Sequence, residues 1–274
     1  MKMKDKKKLI LLDIDGTIVD EKHDVNANLK PIINRLKILN WTVGLNSNRA
    51  LEDMTPIYRE LSLNGPLIIE NGIYYKESIK GKSQLLLKSA EKLQKPLADL
   101  LKDFINTSGI PNLKYCIIDT SKYIGTRKEK INTDTNILLN KFRLYTGSIH
   151  VYEGKNPNSD VAQSLYNYLS TALPKNLTVS KPNKVANITI QPKNSSKADG
   201  IKYLKEISNN NFEKIYMVGN SLSDAKTLPF VNGFFAVGNS DNETKKEATF
   251  VAEKDYTAGV MEIFEYLINN FLSI

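Results

Sequence analysis

The chain has 274 residues, 41% of them hydrophobic and 25% charged, an ordinary globular composition that allows one large domain or two modest ones and excludes disorder. No segment approaches the roughly eighteen consecutive apolar residues of a membrane span, and the charged start over residues 1–8 lacks the apolar core of a secretory signal, so a cytoplasmic protein with no membrane partner is expected. The net charge of +8 would attract anions, but the lysines are spread along the chain without a compact basic helix or an aromatic RNA-binding motif, so they read as solvated surface and no nucleic-acid partner is expected.

The first element is an apolar run over residues 9–12 that ends in Asp13-Ile14-Asp15-Gly16-Thr17. A buried strand accounts for the run but not for two carboxylates at its exit, which are costly there unless paired or metal-bound. Ligands of open α/β sheets bind at the carboxyl ends of strands, so Asp13 and Asp15 mark a candidate cation site. Leu29, Ile32, Ile33, Leu36 and Leu39 then recur at helical spacing, behind Asn26 or Asn28 as the cap. A short β-rich run over 41–45 leads into Asn46-Ser47-Asn48-Arg49, and Leu51, Met54, Ile57, Tyr58 and Leu61 mark a second helix. The turn Asn64-Gly65-Pro66 precedes a strand over 67–70, with Asn71-Gly72 behind it. Strand, helix, strand, helix, strand predicts a parallel α/β sheet.

The rhythm changes near Lys76. Residues 77–184 are rich in lysine and serine and read as an inserted domain, with helices over 89–108 and 160–173 and short strands over 115–119 and 149–153. Strand alternation resumes over 185–191, followed by a helix over 201–207, strands over 215–218 and 234–237, and a terminal helix over 256–272. The expected division is a discontinuous core, 1–76 with 185–274, around an insert at 77–184. The one cysteine, Cys116, lies in an apolar stretch and reads as a packed thiol. With only His23 and His150 there is no His-Cys cluster for zinc, and acid–base work falls to carboxylates or lysine.

Lys197 stands just ahead of the helix over 201–207, where the amide dipoles are already positive, so a local anion is expected beside it. Met217-Val218-Gly219-Asn220-Ser221-Leu222-Ser223-Asp224 again follows an apolar strand with polar residues.

Asp13-Ile14-Asp15-Gly16-Thr17 after an apolar strand resembles the first motif of the haloacid dehalogenase superfamily of phosphohydrolases. Ser47-Asn48-Arg49, Lys197 and Gly219-Asn220 to Asp224 are similar to its three further motifs, in order and in strand-end position. The resemblance implies an α/β fold: a Rossmann-like parallel sheet core with an inserted α+β cap domain. It makes Asp13 the nucleophile and Asp15 the acid–base, with Ser47, Asn48, Lys197, Gly16 and Thr17 around the phosphate and Lys193 as the fallback lysine. Mg²⁺ is the implied cofactor, held by Asp13, the Asp15 carbonyl, Asp224 and Asn220. Asn220 departs from the family's Gly-Asp-x-x-x-Asp, and one formal negative charge fewer weakens the site. Ile69-Glu70-Asn71-Gly72 resembles the segment ahead of the cap in Cof-type phosphatases, sucrose-phosphate phosphatase, archaeal phosphoglycolate phosphatase and mannosyl-phosphoglycerate phosphatase, which implies a small phosphorylated metabolite as substrate, a sugar phosphate, phosphoglycolate or similar. Arg127, Lys128, Lys181 and Lys184 could reach a second anionic group on it, although a solvated role suits each better. Two other readings remain open: a phosphomutase of the same fold, and a catalytically weak phosphate-binding regulatory protein.

Overall fold

The computed structural model describes residues 7–20, 25–119, 135–207 and 212–271. The chain runs β1 (Lys7–Leu12), α1 (Leu29–Ile38), β2 (Trp41–Asn46), α2 (Leu51–Glu60), β3 (Leu67–Ile69), β4 (Tyr74–Lys76), β5 (Ser83–Leu85), α3 (Gln94–Thr107), β6 (Lys114–Ile118), β7 (Thr135–Asn140), β8 (Gly147–Glu153), β9 (Asn156–Pro157), α4 (Ser159–Ala172), β10 (Leu177–Val179) and β11 (Asn187–Pro192). It continues through α5 (Lys197–Ile207), β12 (Phe212–Gly219), α6 (Leu222–Ala225), β13 (Gly233–Ala236), α7 (Asn242–Glu247), β14 (Phe250–Val251) and α8 (Tyr256–Phe271). Two compact units result, Met1–Lys88 with Ser195–Ile274 and, separately, Ser89–Asn194.

In the first unit the strand order is β14-β13-β12-β1-β2-β3-β4-β5. Pairing is parallel from β14 to β3 and antiparallel from β3 to β5. Side chains alternate across a strand, so Ile10 and Leu12 join Ile33 of α1, Met54 of α2 and Phe264 of α8 on one face. Leu9 and Leu11 join Ile201 and Leu204 of α5 and Ala225 of α6 on the other. Helices on both faces explain why β1 reads as a continuous apolar run, and each such fully buried Leu or Ile contributes about 1.5–3 kcal/mol. Asn28 occupies the N-cap of α1 but its side chain makes no cap bond. Asn26 Oδ1 instead accepts the Asn28 N–H at 3.0 Å.

The second unit has the strand order β10-β11-β8-β7-β6, with β9 on β8. Only the β6–β7 pair is parallel among its described pairs. Leu97, Leu101 and Phe104 of α3 and Leu165 and Leu169 of α4 cover one face against Ile137, Leu139, Ile149, Val151, Ile188 and Ile190. Asn158 caps α4 by accepting the Val161 N–H at 3.0 Å.

Three expectations change. Residues 185–194 were assigned to the core, but β11 pairs antiparallel with β8 and β10 in the second sheet. Its buried Ile188 and Ile190 alternate with Asn187, Thr189 and Gln191, the pattern of a strand covered on one face rather than two. Residues 77–88 were assigned to the insert, yet Glu77 N–H donates to Lys82 O and turns the chain back to lay β5 on β4, in the first unit's sheet. Cys116 is exposed rather than packed, because β6 ends the second sheet's strand order and its apolar run reaches the surface, with Ile117 exposed as well. Strands β4, β5, β7, β9, β10 and β14 went unanticipated, and His23, Arg127 and Lys128 lie outside the described residues.

Candidate active site

The parallel register brings the motifs together. β1 lies between β2 and β12, with Leu12 opposite both Leu45 and Val218. Asp13, Asn46-Ser47 and Gly219-Asn220 therefore leave the sheet side by side at the carboxyl ends of adjacent strands. The Asp13 N–H extends the ladder to Val218 O at 2.9 Å, and the Ser47 N–H donates to Ile68 O at 3.0 Å.

Lys197 opens α5 and is buried. Its Nζ lies 2.6 Å from Asp13 Oδ1 and 2.7 Å from Asp224 Oδ1, the anion expected beside this helix start. Burial opposes its charge, but Asp13 and Asp224 outweigh that and hold the ammonium above its ordinary value. Burial pushes the Asp13 carboxyl up to about 7 although Lys197 pulls it down, with Asp224 and Asp15 adding to the rise. Two carboxylates thus converge on one cation. Asp224 has one oxygen committed elsewhere: Oδ2 accepts from Ser221 Oγ at 2.7 Å, Ser221 N–H at 3.1 Å and Asn220 N–H at 3.2 Å. Those bonds close the turn into α6 and leave Oδ1 for the site. Gly219 permits the fold-back, since a Cβ there would lie 2.3 Å from the Asp224 carboxyl carbon.

Asp15 is about half exposed, and Arg49 grips it bidentately, Nη2 to Oδ1 at 2.6 Å and Nε to Oδ2 at 3.0 Å. Burial works against the Arg49 charge and Asp15 more than offsets it. Ser47 is buried, and its Oγ accepts the Arg49 N–H at 3.2 Å. The same turn is stitched to the end of β3, where Asn71 N–H donates to Ser47 O and Glu70 N–H to Arg49 O, both at 3.1 Å. Asn48 is partly buried within it.

Gly16 has φ +79°, and a Cβ there would lie 2.2 Å from Asn220 Nδ2. Thr17 Oγ1 donates to Asn220 Oδ1 at 3.3 Å, so Asn220 braces the Gly16-Thr17 turn. Sequence reasoning missed three residues that hold this frame. Asn239 donates to Gly16 O and accepts the Tyr256 N–H, both at 2.9 Å. Thr257 Oγ1 donates to Ile18 O at 3.1 Å. Asn46, fully buried, donates from Nδ2 to Lys197 O at 3.1 Å. A polar side chain ending the apolar run 41–45 was the available signal for Asn46. Nothing local marks the other two, which reach Gly16 and Ile18 across more than two hundred residues of chain.

Among the described residues no three His, Cys, Asp or Glu side chains gather as a metal cluster. The oxygens of Asp13, Asp224 and Asn220 and the Asp15 carbonyl are nevertheless hard donors of the kind Mg²⁺ takes, and Lys197 shows that Asp13 and Asp224 converge on a cation. Lys193, the fallback, belongs to the other unit with an exposed side chain, and Lys181 and Lys184 are exposed too.

Phosphoglycolate phosphatase 1 of Saccharolobus solfataricus is 22% identical over 265 residues, covering 95% of this chain and 96% of its own. A solved haloacid dehalogenase-like hydrolase from Bacteroides thetaiotaomicron superposes with a TM-score of 0.71 at 17% identity, over 96% of this chain and 100% of that one. A solved sugar phosphatase of HAD subclass IIB gives a TM-score of 0.61 at 13% identity, over 96% and 98%. These structural likenesses establish the shared fold. The sequence model of the haloacid dehalogenase-like hydrolases matches residues 10–264, from the strand that delivers Asp13 into the last helix, and the chain belongs to that family.

Proposed function

We propose that this protein hydrolyses small phosphomonoesters in the cytoplasm, with Mg²⁺ and through an aspartyl-phosphate on Asp13. The observation that carries the proposal is the buried Lys197 ammonium between Asp13, at the carboxyl end of β1, and Asp224, in the helix α6 that follows β12. A phosphomonoester dianion needs an in-line nucleophile, counter-charge for its equatorial oxygens and a proton for the leaving oxygen. Asp13 attacks phosphorus through a carboxylate oxygen, and the bond from phosphorus to the leaving oxygen breaks as Asp15 delivers a proton to that oxygen. Asp15 then takes a proton from a water whose oxygen attacks the phosphorus, releasing phosphate and restoring Asp13. Lys197 and the Ser47 hydroxyl hold the phosphoryl oxygens, beside Asn48, Gly16 and Thr17. Asp15 is gripped at both oxygens by Arg49, so proton delivery requires that grip to loosen.

Asp13, Asp224, Asn220 and the Asp15 carbonyl would hold Mg²⁺, which supplies positive charge to the phosphoryl group when bound. The small substrate is supported by the phosphoglycolate phosphatase and sugar phosphatase relatives. The single cysteine supports the reducing compartment.

Phosphate release from a panel of sugar phosphates, phosphoglycolate and nucleotides, with and without Mg²⁺, tests the reading. Asp13→Asn, which removes the nucleophile's charge and keeps its shape, should abolish release while leaving the fold intact. Undiminished turnover in that variant overturns the covalent mechanism. Asn220 favours one other reading, a regulatory phosphate binder. Wild-type protein that neither binds Mg²⁺ nor releases phosphate, beside an Asn220→Asp variant that does both, would establish it.

A further inference from the structure

We infer that Asn46 is a positioning residue for Lys197, holding the backbone from which the ammonium reaches Asp13 and Asp224. The inference rests on the hydrolase reading above. Asn46 ends β2, immediately before Ser47, with none of its surface exposed. Its Nδ2 donates to the main-chain oxygen of Lys197 at 3.1 Å, across 151 residues of sequence. The opposite amide orientation would set Oδ1 against that carbonyl oxygen, acceptor against acceptor, so the bond fixes the orientation. In this orientation Oδ1 is buried with no hydrogen-bond partner among the described residues. An orphaned buried acceptor costs free energy, and a leucine of similar size would fill the space without one. What the amide supplies and a leucine could not is the donor to Lys197.

The bond acts at the point where control of Lys197 is hardest. A lysine side chain has a flexible four-carbon stem, and its ammonium carries no fixed geometry of its own. Here that ammonium must meet two carboxylates at 2.6 and 2.7 Å. Helix α5 begins at Lys197, so the residue sits at an end where helices fray. Tying its carbonyl to the end of β2 fixes the root of the stem relative to the strand that carries Ser47. One buried amide therefore sets the spacing between two groups proposed to grip the same phosphoryl group.

The test compares wild type with Asn46→Leu and Asn46→Ala, using p-nitrophenyl phosphate with Mg²⁺, thermal melting, and NMR of ¹⁵N-lysine-labelled protein. The Lys197 Nζ signal is identified by its loss in Lys197→Met. For Asn46→Leu we expect a melting temperature at or above that of wild type, because the orphaned acceptor is gone. A fall in kcat of about 10-fold is expected, as misplacement of a charged group by a fraction of an ångström entails. KM should change by less than about 3-fold, and the Lys197 ammonium signal should shift and exchange faster with water. Asn46→Ala should reproduce the loss of kcat and the altered signal. Unchanged kcat and an unchanged signal in a folded variant overturn the inference, and so does loss of fold in both variants, which would make Asn46 a packing residue. Wild-type protein that releases no phosphate would defeat the hydrolase reading instead, and the ammonium signal would still report whether Asn46 holds Lys197.

Discussion

Replacing Lys197 by methionine removes the cation lying 2.6 Å from Asp13 and 2.7 Å from Asp224, whose side chains are only 6% and 0% exposed. Removing one partner of a buried ion pair costs about 3–5 kcal/mol, because the remaining charge stays desolvated without compensation. At about 2–4 °C per kcal/mol for a unit of this size, the melting temperature should fall by about 6–20 °C. The penalty should depend on pH with a defined sign. Asp13 is raised to about 7 in the native protein, above the roughly 3.9 of an unfolded aspartate, so the native state binds a proton that the unfolded chain does not. Stability from that proton is present below the unfolded value and is lost as pH rises through the native one. Without Lys197 the native value climbs further. Below about 7 both proteins carry a neutral Asp13 and differ mainly in the Lys197–Asp224 pair, whereas above it the variant also lacks the Lys197–Asp13 attraction. Melting both proteins in a chelator at about pH 5.5 and about pH 8.5 should therefore show the larger difference at the higher pH. A shift below about 2 °C at the higher pH, or equal shifts at both, would refute the reasoning.

Asp15→Asn removes the proton transfer, together with the charge that Arg49 grips, and leaves the Asp13 nucleophile in place, so burst labelling of the enzyme by p-nitrophenyl phosphate should persist while steady-state turnover collapses; equal loss of both would count against Asp15 as the acid–base. Asn220→Asp adds a negative charge to the oxygens proposed for Mg²⁺, so calorimetry should show tighter Mg²⁺ binding, and unchanged affinity would place Asn220 outside that set. Gly16→Ala meets both a left-handed backbone and a Cβ placed 2.2 Å from Asn220 Nδ2, and should cost about 1–3 kcal/mol. Gly154→Ala, also at positive φ but with nothing among the described residues within 4 Å, is the control and should cost less; equal melting shifts would remove the steric part of the argument.

The strand-end cluster was legible in the sequence because each motif couples an apolar run to polar residues that a buried strand cannot explain. Asp13 and Asp15 after residues 9–12, Ser47 after 41–45, and Asn220 and Asp224 after Val218 all carry that contradiction, and a resemblance to one family's motifs tied them together. Lys197 was legible for a related reason, since a cation at a helix start needs an anion nearby, and the structure supplies Asp13 and Asp224. Patterning alone also indicated a parallel sheet, because apolar strands alternate with helical periodicity over residues 9–70.

Pairing across long sequence distances belonged to the tertiary structure. Strand β11 reads locally as a strand, but only its bonds to β8 and β10 show which sheet it joins. The apolar character of β6 does not reveal that it ends a sheet order and exposes Cys116. The grip of Arg49 on Asp15, the brace from Asn239 to Gly16 and the bond from Asn46 to Lys197 join residues that no local pattern relates. The sequence by itself determined which side chains are the candidates for chemistry, because hydrophobic periodicity and the cost of burying charge are local properties of the chain. Which of their atoms face one another, and which auxiliary residues hold them there, was decided by strand register and helix packing, which exist only once distant segments meet.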